Sequence, residues 1–554
     1  MNQDDMQNLS EELHALAYRV DSAPTDVIDR LPGLVHGVYG SGPLALEDRS
    51  AAAVLLRAAG ILIDAAVRER VIPHLVLAEA WLVDVVNSHQ LDETNSASEV
   101  LYFLSNARIA VADLHWAQAA EAARAAESQE ATEPAEPAHD LRVVRAVARW
   151  DERGRLRASR RDLAWSAALT DDGGAAGMRL CNLANTLDHS GRWIEAYDAY
   201  VGALAADPTN GNAAGNAAVL IERTIASGWD FEGHLCSLYD RYLSMAKSNR
   251  DRTIQVAGEH AARKFDEMEL LGSHEPLRVD PDTEDAYQKW VTEHRLALIA
   301  GLEGLGAGEI EGRWDTITLR QVIQDIDETD APPILSILNV LKADYLVARR
   351  LAFEACHVAE NGGGWAQETT DPGVYVETLQ YAVVGEVSAK LVLAHRAALD
   401  VLDKTAVAVN EHLSVGDDPD RVSFRTFWFE PKTDKVVLRT CLLAHPSVAT
   451  GVIAMAELAY DMTDDGVYAE AQVVRNAGTH RFVLLHHGLK EVASTLTMQA
   501  MTLQEMVATT LDSLAAARAA FIYLVAMLSA YEADKAEKVS ASGVLLSLPM
   551  VNTL

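Results

Sequence analysis

The sequence predicts an all-α protein of several domains, and three observations carry that expectation. Alanine and leucine dominate a chain in which aromatic residues are only 6%, and both residue types lose little on entering a helix. Apolar residues recur at three and four positions, the helical period, in stretch after stretch. The chain has 554 residues, too many for one hydrophobic core, so two to four domains are expected.

Residues 1–127 read as successive amphipathic helices, as in AAAVLLRAAGILIDAAVRE and SEVLYFLSNARIAVADLHW. The opening residues, MNQDDMQNLSEELHALAYRV, are acidic and polar, unlike a signal peptide. SQEATEPAEPAH (128–139) has two prolines, several acids and nothing to bury, which predicts a linker or exposed loop.

Helix resumes over 140–272. It starts with RVVRAVARWDERGRLRASRR (142–161), eight arginines in 20 residues. Such a run serves as an RNA track, as a docking face for an acidic partner, or as a solvated face that balances the acidic bulk; the last is the expectation. In MRLCNLANTLDHSGRWIEAYDAYVGALAADPTN (178–210), Leu180, Leu183, Ala184 and Leu187 fall on one helix face and Gly191 follows. Ala196, Tyr200, Ala203 and Leu204 line a second helix, and Pro208 closes the unit. Small residues at a helix crossing, with a terminal proline, resemble a tetratricopeptide (TPR) repeat, which implies flanking helical neighbours. The region 140–272 is therefore expected to be TPR-like.

Residues 273–330 are richer in Gly, Asp, Pro and Thr and predict a connecting segment of loops and short helices. A helical domain is expected over 331–540, with a tail at 541–554. Two loops should interrupt it, ENGGGWAQETTDPG (360–373) and SVGDDPDRVSFRTFWFEPKTDK (414–435), the latter with a short buried aromatic piece. The stretch 492–538, with Met498, Met501, Met506 and Met527, predicts one or two helices whose Met–Leu stripe packs in a core or dimer. Its most apolar piece, FIYLVAMLSAY (521–531), is shorter than the ~20 residues a bilayer crossing needs.

Cys181, Cys236, Cys356 and Cys441 form no CxxC pair and read as reduced core residues, pointing to the cell interior. The formal net charge of −34 argues against a general nucleic-acid coat or a membrane-surface protein. Any action on RNA needs a local exception.

The segment AQVVRNAGTHRFVLLHHGLK (471–490) is that exception. It has no acid in 20 residues, although about one residue in seven of the chain is acidic. Arg475, Arg481 and Lys490 supply positive charge, and His480, His486 and His487 supply imidazoles. Screening confines charge effects to about 8–10 Å, so a local positive field survives the global charge. The adjacent pair His486 and His487 is expected at the surface or in a dimer groove, not on a metal.

RNAGTH (475–480) resembles the Arg–polar–x–x–x–His motif of the HEPN superfamily, compact helical domains many of which are metal-independent endoribonucleases. The neighbouring LNVLKADYLVARRLAFEA (338–355) and GEVSAKLVLAHRAALDVLDKTAVAVNEHL (385–413) are similar to a bacterial HEPN group fused to TPR-like helices, as is YQKWVTEHRLALI (287–299). The resemblance implies a C-terminal HEPN helical bundle, cutting of RNA by its own 2′-hydroxyl to leave a 2′,3′-cyclic phosphate, and no cofactor. It also implies a homodimer in which two motifs face one cleft, and a role in phage defence or stress response.

The residue types suit that chemistry. His480 can move a proton near neutral pH, and the always-charged guanidinium of Arg475 can hold a developing phosphorane. Asn476 would orient the phosphate or the imidazole, Arg481 and Lys490 would add RNA binding, and Asp403 would fix Arg475. Arg475 could equally pair with Asp403 or Glu386 for purely structural reasons.

On a regular helix Arg475 and His480 lie about 140° apart. Convergence therefore needs a backbone turn, for which Gly478 is placed, or a second subunit. Three readings follow. The first is an endoribonuclease, with tRNA among its candidate substrates, switched by a protein or phage trigger on the TPR-like helices. The second is a non-catalytic TPR/HEPN scaffold that dimerises or binds RNA or nucleotide. The third, nucleotidyl transfer, lacks a motif; GGG at 362–364 has no phosphate-loop lysine.

Overall fold

The computed structural model describes residues 3–39, 49–88, 95–127, 140–228, 233–272, 285–303, 315–325, 330–361, 376, 379–431, 436–463, 466–538 and 543–546. The expected linker at 128–139, most of the loop at 360–373 and most of the tail fall outside them. The described residues form twenty α-helices and five short strands in two compact units, 1–219 with 241–270, and 220–240 with 271–554. The unit boundary thus falls inside the expected repeat region, and the connecting segment belongs to the second unit.

In the first unit, α1 (Gln3–Ala17), α2 (Pro24–Tyr39), α4 (Ile72–Asn87) and α5 (Asn95–Glu127) surround α3 (Arg49–Glu69). α3 places Ala, Leu or Ile on nearly every side, so it is buried almost all round. α6 (Leu141–Asp151) and α7 (Arg153–Ala168) follow, and α7 packs closely on α5 through paired serines. Ser98 Oγ donates to the Ser166 carbonyl at 2.6 Å, and Ser166 Oγ returns the bond at 2.5 Å.

α8 (Gly173–His189) and α9 (Trp193–Ala206) are the helix pair expected over 178–210. Ala184, Leu187, Ala196, Tyr200, Ala203 and Leu204 are buried, whereas Leu180 and Leu183 are half-buried. Gly191 makes the turn at φ +76°, in the left-handed region a side chain would disfavour. α10 (Gly211–Ala226), α11 (His234–Ser248) and α12 (Arg250–Glu267) continue the helical array.

The second unit is built on α14 (Pro333–Asn361), α15 (Glu386–His412) and α20 (Leu503–Lys538), which follow α13 (Ala286–Glu293). α20 is apolar over most of its surface and buried on nearly all sides from Ser513 to Leu528. By length and composition alone α3 and α20, the latter containing the apolar piece 521–531, are each long and apolar enough to cross a membrane. Their most apolar windows are 67% and 78% buried within the fold, as in core helices.

The connecting segment is not a peripheral loop. Leu296–Ala300 and Leu302 are buried, and α14 and α20 hold their backbone. Tyr345 Oη donates to the Leu296 carbonyl at 2.7 Å, and Arg349 Nη1 does so at 2.9 Å. Arg349 also grips Asp315 with two bonds of 2.9 and 2.8 Å, and Lys342 donates to the Asp315 carbonyl at 2.7 Å. Arg518 of α20 donates to the carbonyls of Ala297 and Ile299. A buried non-helical stretch needs such partners, because its carbonyls find none in a helix or sheet.

β1 (Val322–Asp325) ends this segment and pairs antiparallel with β5 (Gly543–Leu546). Buried Glu532 ties β1 to the core, accepting from the Ile323 amide at 2.5 Å and from His412 Nε2 at 2.8 Å. The aromatic piece FRTFWF forms the one-turn helix α16 (Phe424–Phe427), with Phe424, Phe427 and Trp428 buried. α17 (Thr440–Leu443) and α18 (Ala449–Tyr460) lead to α19 (Ala469–His480).

The helical expectation fails after His480. β3 (Phe482–His486) pairs in parallel with β4 (Met498–Thr502) and antiparallel with the two-residue β2 (Ala382–Val383). The run FVLLH has the branched and aromatic residues of a strand, and the acid-free window concealed its change of period. Met498 and Met501 therefore sit on a strand rather than a helix, and His486 is buried rather than at the surface. The four cysteines are free; Cys441, expected in a core, is exposed.

Candidate active site

α19 carries RNAGTH on a helix whose Ala471, Val474 and Ala477 recur every third residue and are buried. That stripe lies on α15. Buried His395 of α15 fixes the start of α19, donating through Nε2 to the Ala471 carbonyl at 2.9 Å while Ser513 Oγ meets Nδ1 at 3.0 Å. Burial, partly offset by the bond to Ala471 and reinforced by the charge of Arg475, lowers the His395 pKa to about 4. His395 is thus a neutral strut.

Gly478 does not break the helix, which continues to His480. A Cβ at 478 would stand 3.1 Å from Val392 Cγ1 and 3.5 Å from Arg396 Cδ. The glycine lets α19 approach α15 closely, and the helix ends two residues later where Arg481 turns extended. The expected turn inside the motif is therefore corrected. Arg475 and His480 sit five residues apart on unbroken helix, about 140° around it, and within one chain they do not point at one phosphate.

Arg475 faces α15. Its Nη2 donates to Asp403 Oδ2 at 2.7 Å and to Asp400 Oδ1 at 2.9 Å. Burial pulls the guanidinium pKa down, but the charges and hydrogen bonds of Asp403 and then Asp400 outweigh this and raise it. One nitrogen serves both acids, so Nη1 and Nε carry no partner among the described residues. Asp403 also accepts from the Phe424 amide through Oδ1 at 2.8 Å, linking α16 to the motif. Glu386 lies elsewhere, paired with Lys390.

Asn476 is exposed and accepts from Gln472 at 3.0 Å. His480 and Lys490 are exposed and Arg481 is half-buried; among the described residues none of the three side chains makes a hydrogen bond or ion pair. His487 follows β3, and its amide donates to the Tyr381 carbonyl. Among the described residues no group of three or more His, Cys, Asp or Glu side chains could hold a metal ion.

Sequence reasoning missed Asp400 and His395. Asp400 was legible as the acid one turn before Asp403, on the same side of one helix. His395 gave no signal, since its carbonyl and hydroxyl partners come from distant segments.

Residues 326–531 match the family model described as LA2681-like HEPN. No curated protein and no solved structure matches the chain. The C-terminal unit accordingly contains a HEPN domain, helical throughout its principal layers.

Proposed function

We propose that this HEPN domain is a metal-independent endoribonuclease that cuts RNA by 2′-hydroxyl attack, leaving a 2′,3′-cyclic phosphate. One observation carries the reading: among the described residues the motif helix presents an unpartnered His480 at its exposed end and leaves Nη1 and Nε of Arg475 open. In this mechanism His480 accepts the 2′-hydroxyl proton, the 2′-oxygen bonds to phosphorus, and Arg475 holds the phosphorane oxygens. The bond to the 5′-oxygen breaks, and that oxygen takes a proton from the partner subunit's His480. The 140° between the two side chains supports a homodimer with a composite cleft. Asn476 orients the phosphate, Arg481 and Lys490 bind flanking RNA, and Asp403 positions Arg475.

The helices of 1–272, TPR-like at 178–210, form the regulatory region that receives a protein trigger, from a phage or from cell stress. The site of action is the cytoplasm. A second reading, a non-catalytic scaffold, draws on the two carboxylates that hold Arg475 and on the net charge of −34.

Total RNA and tRNA incubated in EDTA with native protein, His480→Ala and Arg475→Ala separate the two. The nuclease predicts cyclic-phosphate ends from native protein and a loss of about a hundredfold or more in each variant. Intact RNA in all three samples supports the scaffold.

A further inference from the structure

Arg179, on α8 in the first unit, differs from the other buried arginines. Arg149, Arg192, Arg349 and Arg439 are buried and each holds a carboxylate, buried Arg518 donates to two carbonyls, and buried Arg160 is also engaged. Arg179 is only 6% exposed, yet among the described residues it has no ion pair and no hydrogen bond. Its Nε and Nη1 are buried without partners. Its Cζ lies 5.6 Å from the centre of the Tyr102 ring, a contact that attracts the cation but satisfies no N–H. Burial lowers its pKa; Tyr102, Glu99 and Asp172 oppose that shift without pairing with it. A guanidinium cannot shed its charge as a buried lysine can, so the unmet anion position is costly.

The groups beside it are polar and neutral. Asn182, three residues along α8, donates to Asn106 Oδ1 at 3.2 Å and reaches Tyr102 Oη at 3.5 Å. Its own Oδ1 accepts nothing among the described residues. Asn185, three residues further, accepts through Oδ1 from Tyr200 Oη at 2.6 Å and from Asn216 Nδ2 at 3.0 Å, so its amide N–H groups have no acceptor there. Spacings of three keep the three side chains along one side of the helix.

We propose that this face of α5 and α8 binds a carboxylate-bearing ligand. The carboxylate occupies the unmet position on Arg179, and the ligand's amide or hydroxyl groups meet Asn182 Oδ1 and the Asn185 amide. A forked guanidinium matches a carboxylate with two parallel bonds. Glu99 and Asp172 nearby disfavour a polyanion such as RNA, so a small carboxylic acid or a peptide carboxylate is the fitting class. The site lies in the first unit and does not depend on the nuclease reading.

The test is the thermal melting of the full chain in glutarate and in N-acetyl-glutamate methylamide, against chloride at matched ionic strength. At ~20 mM acid and a dissociation constant of ~1 mM, native protein should melt about 2–4 °C higher. Arg179→Met should melt no lower than native protein in chloride, since it removes an unpaired buried charge, and should show no shift with either acid. Asn182→Ala, which leaves Arg179 in place, should fold and show a smaller shift. A larger shift from the capped amino acid than from glutarate assigns the site to peptides, and equal shifts assign it to small organic acids; both uphold the carboxylate. No shift in native protein, or equal shifts in native protein and Arg179→Met, overturns the proposal.

Discussion

Two stretches of this chain are basic by sequence, and the structure treats them oppositely. The run 142–161 has more arginines, but they are engaged within the fold. Arg149 pairs with Asp113, Arg155 joins Glu79 and Glu152, and Arg145 and Arg153 lie over Trp116 and Trp150. The segment 471–490 has only three cations, yet Arg481 and Lys490 have no protein anion among the described residues, and Arg475 keeps two nitrogens open. Cation density along a sequence therefore does not measure the charge available to a ligand. The position of carboxylates on neighbouring helices decides it.

Arg349 is the extreme of the engaged class and should give the largest effect. Arg349→Met strips Asp315 of its guanidinium partner and leaves the Leu296 carbonyl with Tyr345 alone, and a loss of about 3–5 kcal/mol in the second unit is expected from urea unfolding. Unchanged stability would show that engagement in this fold is not structural.

The same contrast divides the histidines. His395 is neutral and buried, and its pKa near 4 lies below the ordinary 6.5. Its folded pKa is depressed, so its contribution is fully present above about pH 6.5 and is lost as pH falls toward 4. The loss should approach about 3 kcal/mol, and His395→Gln should flatten that part of the stability curve. Parallel curves for both proteins would mean that His395 does not titrate this way.

Arg155→Gln leaves two half-buried carboxylates short of a partner and should cost about 1–3 kcal/mol with RNA affinity unchanged. The converse belongs to the open pair. Arg481→Gln combined with Lys490→Gln should weaken RNA binding about tenfold and lower the salt slope by about two, with melting unmoved. If the first variant lost RNA affinity, or the second lost stability, the division between the two basic regions would collapse.

Much of this was legible in the sequence, for reasons that can be named. α8 and α9 were readable because small and large apolar residues alternate at helical spacing around Gly191. The HEPN region was readable because Arg475, Asn476 and His480 stand at fixed spacing in an acid-free window. The role of Gly478 was misread, since a glycine for close helix approach and one for a turn look alike until Val392 is seen opposite. The buried segment at 296–302 was hidden because its partners, Tyr345, Arg349 and Arg518, lie far along the chain. Arg179 was invisible for a related reason: a missing partner leaves no mark in a sequence.

The pairing of β1 with β5 carries a consequence for how the protein is made. Ile323 is bonded to Glu532, 209 residues later, and its strand is completed only by residues 543–546. Closing so long a loop is slow compared with forming local helices. During synthesis the first unit can collapse while the second still waits for its last strand. The domain that carries the motif helix would then reach its finished shape only after residues 543–546 have left the ribosome, long after its first helices have formed.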